Sequence, residues 1–232
     1  MARARVKARA KARAPIARKV KPKPRPKRAR DAKDRILRAA AELMTESGPE
    51  AMSVRAVAER AGVNKALVFY YFKSKDALLD TLLDAYYQAH AAALAKGLEG
   101  GGEFGERVLR VVDAYLDFID IHRTFPRLVQ QAVAVGGHGP RLRRIRKNLG
   151  AMLEWAAGAL ADFLPERGPL APKHFFLTLA GIVITYYTYA PVFGPLWGED
   201  AMSDRAREER REHVHWVVCA FLERLFNERG RA

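Results

Sequence analysis

The chain has 232 residues, 49% of them hydrophobic, enough to bury a core in one large or two unequal domains. Its formal net charge of +15 points to an anionic partner, but residues 1–30 hold 14 of the 41 basic side chains and no acid. The remainder is nearly neutral, and the single cysteine, Cys219, excludes an intramolecular disulfide and favours an intracellular, cytoplasmic location.

Residues 1–30, MARARVKARAKARAPIARKVKPKPRPKRAR, contain four prolines and almost no large apolar side chain. Such a segment cannot bury enough surface to offset its ordering entropy, so a disordered basic tail is expected. Three uses fit it: a solvated tail, an arm that binds DNA phosphates in a salt-dependent way, or an organelle transit segment. It lacks the apolar core of a secretory signal.

From residue 31 the pattern is helical. Asp31 or Asp34 begins a first helix with Ile36, Ala40, Leu43 and Met44 on one face, and SGPE at 47–50 closes it. Ser53 is the expected N-cap of a second helix that carries Val54, Val57, Ala58 and Ala61 inward and stops at Gly62. Asn64 caps a third helix and Ser74 a fourth, with Asp76 in its first turn, where the helix dipole favours an acid. Between those caps lies LVFYYF, which by propensity alone reads as a strand. The flanking caps favour a helix, with Val68, Tyr71 and Phe72 inward and Lys65, Ala66, Leu67, Phe69 and Tyr70 outward.

The glycine cluster GLEGGGEFG at 97–105 separates this unit from further helical patterns over 104–123, 126–135, 140–163, 171–190 and 204–228. The fold class is all-α. The uncharged stretch at 175–197 is long enough to span a membrane, but Pro191, Gly194 and Pro195 interrupt it. A buried helix ending near Ala190 is the expectation, with no membrane partner.

Two short helices joined by a tight turn and braced by a preceding helix describe a helix-turn-helix, whose second helix enters the major groove, about 12 Å wide. SVRAVAERAGVNKALVFYYFKSKDALL, with the apolar-faced helix before it, resembles the DNA-binding domain of the TetR family of transcriptional regulators. The resemblance covers residues 31–83. It implies a three-helix DNA-binding domain there and a larger helical ligand-binding and dimerisation domain at 84–232.

Carried over by position, Ser53 and Arg55 would approach the phosphate backbone, and Asn64 would cap the recognition helix. Lys65, Ala66 and Leu67 would meet base edges, Tyr70 a base or phosphate, and Lys75 a phosphate. Phe69 stands where the family usually has Tyr, so a hydroxyl-to-phosphate bond is missing; Leu67 replaces a common Thr. The resemblance further implies a repressor that binds a double-stranded palindromic operator as a homodimer and is released by a small effector. A non-specific DNA-binding accessory protein driven by the basic tail is the alternative.

The dimer is expected to form through helices 171–190 and 204–228, the second striped by Val214, Val217, Val218, Phe221, Leu222 and Leu225. For an apolar or aromatic effector, Phe118, His122, Trp155, Tyr186 and Tyr187 are the candidate pocket. Gly100, Gly102 and Gly105 spell a dinucleotide-type glycine motif without the strand it requires. His213 and His215 diverge on a helix, and no nucleophile–base arrangement is legible, so no metal, cofactor or enzymatic activity is expected.

Overall fold

The computed structural model describes residues 26–134 and 139–229. These residues form α1 (Pro26–Ala51), α2 (Val54–Arg60), α3 (Lys65–Phe72), α4 (Lys75–Leu98), α5 (Phe104–Ile121), α6 (Phe125–Ala134), α7 (Pro140–Leu160), α8 (Pro172–Trp197) and α9 (Asp204–Arg229), with no strand among them. The basic-tail expectation falls mainly on residues 1–25, outside the described residues. The first helix starts at Pro26 rather than at Asp31 or Asp34, proline being favoured in a first turn. Gly48, at φ 76° and ψ 167°, breaks it within SGPE.

Ile36, Ala40 and Met44 of α1 close over Val57 and Ala58 of α2, Val68 and Phe72 of α3, and Leu78 and Leu82 of α4. Burying the larger of these side chains contributes about 1.5–3 kcal/mol each, which offsets the poor intrinsic helicity of two helices under ten residues long. An ion pair pins the scaffold from outside: Arg60 of α2 donates to both carboxylate oxygens of Glu46 on α1 at 2.8 Å.

α4 continues from this three-helix unit into the rest of the molecule, where it packs most extensively against α5. Gly97 permits that approach. A Cβ there would lie 3.0 Å from the Arg110 carbonyl oxygen and 3.0 Å from the Val111 Cα. The core runs on unbroken through Tyr86, Val112, Ile119, Leu128, Ile145, Val183 and Val218.

The expectation for the uncharged stretch is corrected. α8 is not a buried helix ending at Ala190: it runs through Pro191 and Pro195 to Trp197, and Gly198 closes it in the left-handed conformation at φ 73°. Val183, Tyr187, Ala190 and Gly194 face the core, while Leu177, Val192, Leu196 and Trp197 are exposed. By length and composition alone it could cross a membrane, and most of its apolar residues are not buried in the protomer. The α9 stripe divides, with Val217 and Phe221 half-buried. Val214, Val218, Leu222 and Leu225 are buried within the protomer, and α9 packs on α5; Trp216 and Phe226 are the large apolar side chains it exposes.

Candidate functional site

Three caps build the geometry of the α2–α4 unit. The Ser53 hydroxyl accepts from the Ala56 N–H at 3.1 Å, Asn64 Oδ1 from the Leu67 N–H at 2.8 Å, and the Ser74 hydroxyl from the Ala77 N–H at 3.0 Å. Each starts a helix where the residue type dictates. The α2–α3 turn closes on Gly62, at φ 62°, which lets the Gly62 and Val63 N–H groups reach the Glu59 and Ala58 carbonyls.

On α3, Val68 and Phe72 are buried and Tyr71 half-buried, while Asn64, Lys65, Ala66, Phe69 and Tyr70 are exposed and Leu67 is half-buried. The aromatic run thus divides by helical angle, as its position between caps requires. Lys65 lies over the Phe69 ring at 5.7 Å and Lys73 over the Tyr70 ring at 5.6 Å, so cations and rings form one surface. Lys73, at φ 64°, ends the helix and turns the chain towards α4. Lys75 opens α4 beside that surface. Ser53 is exposed, as is Arg55, whose Nε donates to Glu59 at 2.8 Å within α2.

A cavity of about 400 Å³ lies between α4, α5, α7 and α8, with walls from Leu94, Val108, Val112, Met152, Phe176 and Leu179 among others. Of the five pocket residues expected from sequence, Trp155 alone borders it. Phe118 sits behind His90, stacked at 4.6 Å, and His122 packs on Tyr86 at 5.0 Å. The Tyr186 hydroxyl donates to the Ala201 carbonyl at 2.6 Å, and Tyr187 to Asp120. These rings lie at helix contacts, where aromatic clustering serves packing. Tyr187 instead borders a second, more polar groove of about 710 Å³ that also touches Thr45, Arg123 and Arg127.

Sequence reasoning missed His90. It is 5% exposed, stacked between Tyr115 at 4.7 Å and Phe118 at 4.6 Å, and neither ring nitrogen has a partner. Burial lowers its pKa to about 4, so it is neutral near pH 7. The hydroxyl of Tyr87 and the Nε of Arg107 are also buried without partners, and both residues border the cavity with His90. The available signal was helical spacing, since Tyr87, His90, Leu94 and Leu98 share one face of α4. The glycine motif at 100–105 lies in the α4–α5 connection and the first turn of α5, with no strand before it among the described residues.

A family model described as bacterial regulatory proteins, tetR family, matches residues 36–82. The probable HTH-type transcriptional regulator YttP of Bacillus subtilis is 30% identical over 105 residues, 44% of this chain and 51% of YttP. The class C tetracycline repressor protein of Escherichia coli is 40% identical over 53 residues, 23% of this chain and 24% of the repressor. The chain spans about half the length of the first curated relatives it matches. Among solved structures, the fatty acid degradation regulator FadR from Bacillus halodurans superposes with a TM-score of 0.63 at 19% identity, covering 85% of this chain and 96% of that one. The ketosteroid transcriptional regulator KstR2 of Mycobacterium tuberculosis gives 0.61 at 18% identity, over 81% and 93%. At these identities the structural likeness concerns the fold. The capped α2–turn–α3 unit coincides with the family match, and the all-helical architecture agrees with it: residues 36–82 form a DNA-binding domain of the tetR family of bacterial regulatory proteins.

Proposed function

We propose that this protein is a cytoplasmic, ligand-released repressor that reads a palindromic operator as a homodimer. The observation that carries this reading is the exposed face of α3, where Lys65, Ala66, Phe69 and Tyr70 stand clear of a buried opposite face. A rigid scaffold holds that face out, and its capped N-terminus offers a positive dipole end to DNA. Ser53, Arg55 and Lys75 contact phosphates; Lys65, Ala66, Leu67 and Tyr70 meet base edges. Phe69 supplies an apolar ring where a hydroxyl would have bonded phosphate. The DNA-binding domain is residues 31–83 and the effector and dimerisation domain residues 84–232.

A recognition helix of eight residues reads few bases, so two copies on two half-sites supply the specificity. Leu177, Val192, Leu196 and Trp197 of α8 and Trp216 of α9 form the apolar surface that the second copy covers. An effector in the α4–α5–α7–α8 cavity shifts the dimer only if it binds the DNA-free spacing of the two α3 helices better.

In vitro selection of genomic fragments with the full chain and with residues 31–232, each at two salt concentrations, tests the reading. Recovery of one inverted repeat by both supports a dimeric operator reader. Enrichment by the full chain alone, with no shared sequence, identifies instead an accessory protein bound through its tail.

A further inference from the structure

The cavity is apolar except at a few places, and those places are spread along its length. His90 and Tyr87 present buried, unpartnered polar atoms beside Phe125, Tyr87 and His90 each packing edge-on against that ring at 5.2 and 5.9 Å. His90 also stacks on Tyr115 of α5. Arg107 stands eight residues before Tyr115 on the same helix, and at 1.5 Å per residue the two ends lie about 12 Å apart. At that end Arg107 is half-buried, its Nε has no acceptor, and no salt bridge to it occurs among the described residues. By contrast, Arg141, Arg144, Arg207 and Arg211 are each neutralised by aspartates.

Buried polar groups carry a desolvation cost unless something hydrogen-bonds them, and a guanidinium supplies only donors. A neutral imidazole and a phenol can both donate and accept. Resting on the reading of this cavity as the effector site, we infer that the effector is an elongated, largely apolar molecule with an anionic group, such as a carboxylate, at Arg107 and a hydroxyl or carbonyl oxygen at His90 and Tyr87. The intervening walls, Val108, Val112, Met152 and Leu179 among them, take the hydrocarbon between. The anionic group neutralises a charge that has no counter-ion among the described residues, and the far oxygen satisfies the imidazole.

Calorimetric titration of the full chain tests this with a medium-chain fatty acid hydroxylated at its far end, its methyl ester, and the unhydroxylated acid. The expected result is that the hydroxy acid binds at least about tenfold tighter than its ester, the scale of a charge-assisted hydrogen bond. Arg107→Gln should remove that gap with little effect on the ester, and His90→Phe should remove the preference for the hydroxylated acid over the plain one. Equal binding of acid and ester by the unaltered chain would overturn the inference without recourse to any variant. Entry of the neutral dye Nile red with exclusion of all three probes would overturn the elongated anionic class while leaving the cavity as an effector site. Exclusion of the dye as well would overturn the effector cavity itself.

Discussion

Arg141 of α7 donates through its Nε to Asp80 of α4 at 2.7 Å, joining the helix that leads out of the DNA-binding unit to one that walls the cavity. The same guanidinium reaches Asp76 at 3.1 Å, and Arg144 pairs with Asp84 one turn further on. Three aspartates at helical spacing on α4 therefore face two arginines on α7. The pairs are unequal: the Asp76 side chain is 84% exposed and that of Asp80 16%.

Replacement of these acids should reflect that difference. Asp76→Ala is expected to change stability by less than about 0.5 kcal/mol, because an exposed pair is screened. Asp80→Ala should cost about 1–2 kcal/mol, since it strips a mostly buried guanidinium of its best acceptor. Urea denaturation at low and high salt would compare them; equal losses would contradict the burial assignment.

Two rings two residues apart on α3, Tyr70 and Phe72, should behave in opposite ways. Phe72→Ala removes a core side chain and should destabilise the fold by about 3–5 kcal/mol. Tyr70→Ala, at a position 58% exposed, should leave stability within about 0.5 kcal/mol while weakening operator binding by about 1–3 kcal/mol. Thermal melts beside DNA titrations would read both effects.

Asn64→Ala deletes the acceptor for the Leu67 N–H and should cost about 1 kcal/mol. Asn64→Ser keeps a capping oxygen, and should restore most of the stability in chemical denaturation.

At Gly97, alanine would normally favour the helix by about 1 kcal/mol. Here its Cβ would meet backbone atoms of α5 at 3.0 Å, which cannot move aside like a side-chain end. Gly97→Ala should therefore lower stability by about 1–3 kcal/mol. An unchanged or raised melting temperature would show that α4 and α5 do not approach this closely.

His90 gives the fold a pH dependence of known sign. Its pKa falls from 6.5 to about 4 on folding, so the unfolded chain takes up a proton that the native chain refuses. Stability is complete above about pH 6.5, declines as pH falls towards 4, and levels off below, for a total on the order of 3 kcal/mol. Subtracting the pH–stability curve of His90→Leu from that of the unaltered chain isolates this contribution from the carboxylates. A flat difference between pH 6.5 and 4 would place His90 in contact with water or an acid.

The sequence by itself determined the local events. Ser53, Asn64 and Ser74 each start a helix because a short oxygen-bearing side chain can accept from a backbone N–H there, and Gly62 turns the chain because it tolerates positive φ. The division of Phe69 and Tyr70 from Phe72 followed from helical angle alone. Which aromatic rings border a cavity was not local information. Phe118, His122, Tyr186 and Tyr187 have the composition of a pocket, but the crossing of α4, α5 and α8 placed them at packed contacts and brought His90 and Arg107 to the cavity instead. The same holds for α9, where Val214, Val218, Leu222 and Leu225 are buried within the protomer while Phe221 stacks on Phe175 of α8 at 4.7 Å. Periodicity shows that a face must be covered; only tertiary packing decides by what, because burial depends on neighbours distant in the chain.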